Sequence, residues 1–484
     1  MKDVSRRDFV KYSLGGMSAL VVGSGMSWMM GDKAHAGVRA ETLNLHITDA
    51  LKDMATHNTL NSAQCYFWIF KEDRLPADCP GPMIFVAEGD TVQVNITNEL
   101  DEPHAFYLPG MFNSGPIAPG QTVKKFFIAK NPGTHLYYDN LNAPVNRVMG
   151  LHGAFIVMPK VAPAGHKFTP YGNRATPGVQ QLFDDFGPTP WFPGLAWEQG
   201  DEATHTPPFR TNIWLLHQAS PNLFAEVGSF TPGQNYPAAQ FLQKFLHDPF
   251  AAAKPTTNAI PQYFTISGQA GHFSHSSPYI CPNHRVGEPV LLRLLNPGLW
   301  THSMHIHANH IYITSVNGVV QSNPIWVDVF NLYPMGIVDY MNPYMRMPDV
   351  PNVRGIGRPD PGLPAGISGG TTWPPIEEIN SFMPGPAPAG ATPFQVLGNE
   401  RASDANGAVI SLGVQLSPLC YPMHDHSEPT QTSQGGNYNM GLISGMNVIG
   451  DRNTMMNFPN QPAIHGPGPL GVFPPAVPPP WFEH

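Results

Sequence analysis

Between Thr91 and Asn98 the chain reads TVQVNITN, with Val92, Val94 and Ile96 apolar and their neighbours polar. A period of two puts these three on one face of a β-strand, because successive strand side chains point to opposite faces. TVKKFFIA and GAFIVMP are further short runs between turn signals, so residues 41–160 predict one β-sandwich. A second β region, residues 211–450, carries TNIWLLHQ, QYFTISGQ, GEPVLLRLLNPG, HIYITSVNG and NPIWVDVFNLYP. One segment follows a different period. In PAAQFLQKFLHDPF, Pro237 to Phe250, the apolar Phe241, Leu242, Phe245 and Leu246 recur at helical spacing and predict a packing helix.

Composition strengthens the all-β reading. The 484 residues include 54 Pro and 47 Gly, a share that suits short strands joined by turns and irregular loops. Residues 161–210 read as linker and surface loop, and residues 342–408 as a Pro/Gly-rich insertion before the last strands. A loop that long is either functional or disordered. Residues 451–484 form a Pro-rich tail of polyproline type. Only 13% of residues are charged and the net charge is -9, so no basic face is available to attract nucleic acid.

The first 36 residues have the composition of an export signal. Arg6 and Arg7 in SRRDFVK precede an apolar stretch from Leu14 to Met30, followed by Ala34-His-Ala36 as a small-x-small cleavage site. This pattern resembles a twin-arginine signal peptide and predicts the Tat translocase as a partner and the periplasm as the destination. The alternative is a short membrane anchor, against which the Gly/Ser interruptions count. Four cysteines, Cys65, Cys79, Cys281 and Cys420, in an exported protein predict two disulfides. Three connectivities are possible; Cys65–Cys79 with Cys281–Cys420 keeps each bridge within one β region.

The chemistry concentrates in histidines. LWTHSMHIHANHIYI places His302, His305, His307 and His310 close together, and YPMHDHSE adds His424 and His426 around Asp425. On a strand, His305 and His307 point the same way, as do His424 and His426. If the two strands are neighbours, four imidazoles converge on one or two metal ions, a donor set that suits copper or zinc.

Several segments taken in order resemble the multicopper oxidases. CPGPMIFVAEGDTVQVNITNEL is similar to their opening strands, GLHGAFIVMP to the end of their first cupredoxin domain, THSMHIHANH to their H-P-x-H-L-H motif, and YPMHDHSE stands where they have H-C-H. The resemblance implies tandem cupredoxin-like Greek-key β-sandwiches of the two-domain kind, nearest to copper nitrite reductases and two-domain laccases. It implies copper, a small-molecule or metal-ion reductant, O2 as acceptor, and a homotrimer whose neighbouring subunit supplies the opposing half of the site. By this resemblance His305 takes the type 2 ligand position, His307, His424 and His426 the type 3 positions, and His302 that of a type 1 histidine.

The departures fall on the remaining ligands. The type 1 cysteine position holds Asp425, a hard ligand in place of a thiolate, and the later type 1 histidine falls near Thr430. In the first region Tyr107-Leu-Pro-Gly110 stands for H-W-H-G and Leu136-Tyr-Tyr-Asp-Asn140 for W-Y-H-S-H. His104 occupies a nitrite-reductase-like type 1 histidine position whose cysteine partner is replaced by Asp139. Asp425 is then either a residue that orients an imidazole through its N–H or a polar replacement at an abandoned site. Cys420 is either half of a disulfide or a thiolate ligand beside His424 or His426. The expected function is a periplasmic copper-binding oxidoreductase without a standard blue site. The alternatives are a non-enzymatic cupredoxin scaffold and a copper-handling protein.

Overall fold

The computed structural model describes residues 19–21, 41–56, 63–184, 210–246, 263–277, 280–281, 283–284, 290–307, 310–342, 419–433, 437–438 and 440–448. Most of the export signal, part of the expected linker, almost all of the 342–408 insertion and the tail lie outside the described residues. In the first part of the chain the strands are β1 (Ala19–Val21), β2 (Glu41–Met54), β3 (Ala63–Glu72), β4 (Met83–Ala87), β5 (Thr91–Asn98), β6 (Tyr107–Leu108), β7 (Phe112–Asn113), β8 (Thr122–Ile128), β9 (Gly133–Tyr138) and β10 (His152–Met158), with helix α1 (Val145–Val148) before β10. They form a four-stranded sheet, β3-β2-β5-β8, and a six-stranded sheet, β1-β4-β10-β9-β6-β7. The alternation read in TVQVNITN is the observed one: Val92, Val94 and Ile96 on β5 are fully buried while their neighbours are partly exposed.

The second part begins with helix α2 (Pro177–Asp184), then β11 (Arg210–Ala219), α3 (Pro221–Gly228), α4 (Ala238–Phe245), β12 (Tyr263–Ile266), α5 (Gly271–Ser276), β13 (Asn283–His284) and β14 (Val290–Leu295). It continues with β15 (His302–Ile306), β16 (Ile311–Val316), β17 (Val319–Val327), β18 (Val329–Leu332), β19 (Ile337–Asn342), β20 (Leu419–Asp425), β21 (Thr432–Ser433), β22 (Asn437–Tyr438) and β23 (Ile443–Val448). The two large sheets are β12-β11-β14-β19-β16-β17 and β13-β23-β20-β15-β18. The fold is all-β, with short helices. The predicted helix is α4, and Phe241 and Phe245 on it are buried against Phe224 of α3.

Two findings differ from the sequence reading. First, the stretch read as loop from residue 161 contains α2, whose Val179, Leu182 and Phe183 pack on Leu291, Tyr312 and Met341. Three apolar residues at i, i+3 and i+4 give that helix one buried face, which outweighs the local Pro/Gly content. Second, the Cys65–Cys79 bridge is not formed: both are separate, buried thiols. The Cys79 sulfur instead lies close to ring nitrogens of His152 and His217. Burial raises both thiols above their ordinary pKa, each modulated by charges around Lys52. The expected Cys281–Cys420 bridge ends on a side chain outside the described residues.

The two halves share buried surface. Met83, Phe85, Leu136, Ala154, Ile156 and Met158 pack with Ile213, Leu215 and Leu295. Beside this apolar layer lies a charged chain. Arg293, fully buried, stands directly opposite Asp339 on the neighbouring strand. Arg293 Nη1 donates to Thr134 Oγ1 at 2.7 Å, Thr134 Oγ1 donates to Asp339 Oδ1 at 2.6 Å, and Tyr171 Oη donates to Asp339 Oδ2 at 2.8 Å. A buried guanidinium and carboxylate are tolerable only when linked in this way. Among the described residues no helix is long and apolar enough to cross a membrane.

Candidate metal centre

Strand register assembles the site. β15 and β20 run antiparallel with His305 opposite His424, Met304 opposite Asp425 and Ile306 opposite Met423. Directly opposed residues on one face lie about 5 Å apart at Cβ. The ladder continues through His307 N–H to Pro422 O and His426 N–H to Ser303 O, both at 2.9 Å. The period of two therefore sends His305, His307, His424 and His426 to one face, while His302, Met304, Ile306, Met423 and Asp425 face the core.

The four imidazoles meet. Ring centroids lie 5.0 Å apart for His305 and His307, 4.8 Å for His305 and His426, and 4.9 Å for both His307–His424 and His424–His426. His424 Nε2 and His307 Nε2 are 2.8 Å apart. Ligand atoms of His305, His307 and His424 all fall within 4.8 Å of one another. His305 Nδ1–H donates to Asp328 O at 3.1 Å, and His424 Nδ1–H to Asp425 O at 3.1 Å. Each bond occupies the ring nitrogen away from the cluster, which leaves Nε2 as the lone-pair donor inside it. Burial first, then the neighbouring His424 and His305, lowers the His307 pKa and favours the neutral imidazole that metal binding needs. His307 and His426 are exposed, so the face opens outward. The donor set and its convergence fit a copper ion.

His302 is set apart. Buried on the other face, its Nδ1–H donates to Asp425 Oδ2 at 2.6 Å, and its Nε2 accepts from Gln218 Nε2 at 2.8 Å. Both ring nitrogens are thus engaged by protein groups. Asp425 also accepts from Ser303 N–H at 2.6 Å, Ser427 N–H at 3.1 Å and Thr430 Oγ1 at 2.6 Å. Burial alone would raise the Asp425 carboxyl; the bonds from His302, Thr430 and Ser303 outweigh it and hold the pKa below the ordinary range. Gln431, which the sequence did not single out, donates to Asp425 O at 2.6 Å and lies 3.0 Å from His424 Nδ1.

The first half repeats the arrangement. His104 Nδ1–H donates to Asp139 Oδ2 at 2.7 Å, and Asn146 Nδ2 donates to the same oxygen at 2.9 Å. Asp139 is buried and occupied by these partners. Tyr107 and Tyr138, by contrast, are half-buried and meet edge to face at 5.4 Å between ring centroids.

Residues 75–162 match the family model described as multicopper oxidase. Laccase 1 of Metarhizium acridum is 34% identical over a 95-residue alignment that covers 17% of this chain and 15% of that protein. Among solved structures, the blue copper oxidase from Nitrosomonas europaea aligns with a TM-score of 0.45 and 16% identity over 84% of this chain and 85% of that one. The copper nitrite reductase from the same organism aligns with a TM-score of 0.42 and 14% identity over 84% of this chain and 93% of that one.

Proposed function

We propose that the protein is a copper-binding oxidoreductase of the multicopper oxidase type, working at His305, His307, His424 and His426 without a blue type 1 centre. The observation that carries this reading is the convergence of four imidazoles on one open face, two of them with Nδ1 tied to a backbone carbonyl. The multicopper oxidase match over residues 75–162 agrees with it. Copper at these nitrogens would supply one-electron redox chemistry with an open position for a small molecule.

The chain's own residues define the rest. The exposed His307 and His426 form the approach, and the Asp328 and Asp425 carbonyls hold two rings in place. Asp425 stands in the position that the resemblance gives to the type 1 cysteine and is fully committed to His302, Thr430 and backbone N–H groups. No thiolate relay is available at that position, so a reductant docked at the open face delivers electrons directly, and O2 or a small oxide accepts them. Export through the twin-arginine route to the periplasm, and a trimer that presents Tyr107 and Tyr138 of one subunit toward the histidine face of the next, complete the proposal.

The test is O2 consumption by copper-supplied protein with a small-molecule or metal-ion reductant, compared with His424→Ala/His426→Ala. Turnover that disappears in the variant supports the oxidoreductase. Copper bound without turnover points to a copper-handling protein, and no copper at all to a scaffold.

A further inference from the structure

A second cluster of metal-ligating side chains lies in the core, away from the histidine face. Cys79, His152 and His217 are buried, and one ligand atom of each falls within 4.8 Å of the others. The two rings are 4.5 Å apart at their centroids. His152 Nδ1–H donates to Arg147 O, and His217 Nε2–H to Val148 O, both at 2.8 Å. Both carbonyls belong to the last two residues of α1. The same short helix therefore fixes both tautomers, and His152 Nε2 and His217 Nδ1 are left as lone-pair donors. His152 Nε2 is fully buried with no hydrogen-bond partner among the described residues. A buried acceptor left in that state costs stability unless something binds it.

We propose that Cys79, His152 and His217 form a buried three-coordinate site for a soft monovalent cation, Cu(I). One thiolate and two neutral imidazoles are the donor set that soft copper takes. Charge favours the monovalent ion: Cu(I) with one thiolate is neutral, whereas Zn(II) would leave a net positive charge in the core. Lys52 is already neutralised, its Nζ donating to Asp78 Oδ1 at 2.6 Å and to Cys79 O at 2.8 Å. With Arg147 O and Val148 O holding the two ring N–H groups, each imidazole turns a lone pair toward the cluster, and binding Cu(I) would release the Cys79 thiol proton. Gly150 permits the close packing, because a Cβ there would lie 3.2 Å from the Cys79 sulfur and 2.5 Å from Trp68 O.

The test is anaerobic loading of the full chain with Cu(I), read by metal stoichiometry and copper X-ray absorption. The His424→Ala/His426→Ala chain removes two of the four surface imidazoles, and Cys79→Ser then decides whether a sulfur neighbour belongs to the buried site. The double variant should retain one Cu(I) per chain with one sulfur among its neighbours. Adding Cys79→Ser should remove that equivalent and the sulfur signal, while adding Cys65→Ser should leave both. Copper with only nitrogen or oxygen neighbours, no Cu(I) retained, or a preference for Zn(II) would each overturn the assignment. If Cys79→Ser does not fold, the spectrum of the His424→Ala/His426→Ala chain with and without Cys65→Ser still decides.

Discussion

His302 Nδ1 and Asp425 Oδ2 lie 2.6 Å apart at zero exposure, and in the first half of the chain His104 Nδ1 and Asp139 Oδ2 repeat the contact at 2.7 Å. In each half a third polar residue, Thr430 or Asn146, closes on the same carboxylate oxygen. Where the resemblance expects a thiolate, both halves hold a buried His–Asp pair. Asp425→Asn leaves His302 and Ser303 N–H without their charged acceptor, so stability should fall by about 3 kcal/mol, as for other buried charged partners. Thermal or denaturant melting measures it; an unchanged midpoint would show that the pair does not support the second half.

Gln431 is a positioning residue. It donates to Asp425 O, the same carbonyl that accepts the His424 Nδ1–H. Gln431→Ala should weaken copper binding about tenfold, the lower end for partners that orient a ligand, with little effect on melting. Competition with a chelator of known affinity provides the readout, and equal affinities would remove Gln431 from the site.

The Arg293–Thr134–Asp339 relay predicts a different defect. Thr134→Val removes the hydroxyl that accepts from Arg293 and donates to Asp339, leaving two buried charges short of a hydrogen bond. The expected loss is about 3 kcal/mol, against about 1 kcal/mol for Tyr171→Phe. Copper content should be the same as in the parent for both. Comparable melting of Thr134→Val and the parent would contradict the relay.

His104 gives a pH signature. Burial lowers its pKa, but the hydrogen bond to Asp139 and the Glu102 carboxylate outweigh it and raise it above 6.5. A raised folded-state pKa means that the stabilisation is fully present below the unfolded value and is lost as pH rises through the folded one. The melting difference between the parent and His104→Gln should therefore be largest near about pH 5 and shrink at alkaline pH. A gap that widens toward alkaline pH would reverse the assignment.

What was legible in the sequence follows from local periodicity. The period-two runs gave β5 its buried face, and the His-x-His spacing placed His305 with His307 and His424 with His426 on common faces. Sequence could not supply the register that sets His305 opposite His424. The resemblance gave His302 a type 1 ligand position; its odd offset from His305 turns it to the core, where Asp425 and Gln218 engage both ring nitrogens. Cys79, His152 and His217 come from three distant segments, each with one unremarkable side chain, and only the sheet packing unites them. The disulfide expected for Cys79 failed for the same reason: cysteine counting knows nothing of where a sulfur points.

Copper content per chain decides whether His305, His307, His424 and His426 hold metal. The protein, exported with its own signal and supplied with copper, is compared with His424→Ala/His426→Ala after oxidised samples are cleared of loosely held metal. At least one copper should be lost in the variant, and neither protein should show an intense blue absorption that persists in Cys79→Ser. Equal copper in the two would contradict the four-histidine site, and a strong blue band that Cys79→Ser does not remove would contradict the reading of Asp425.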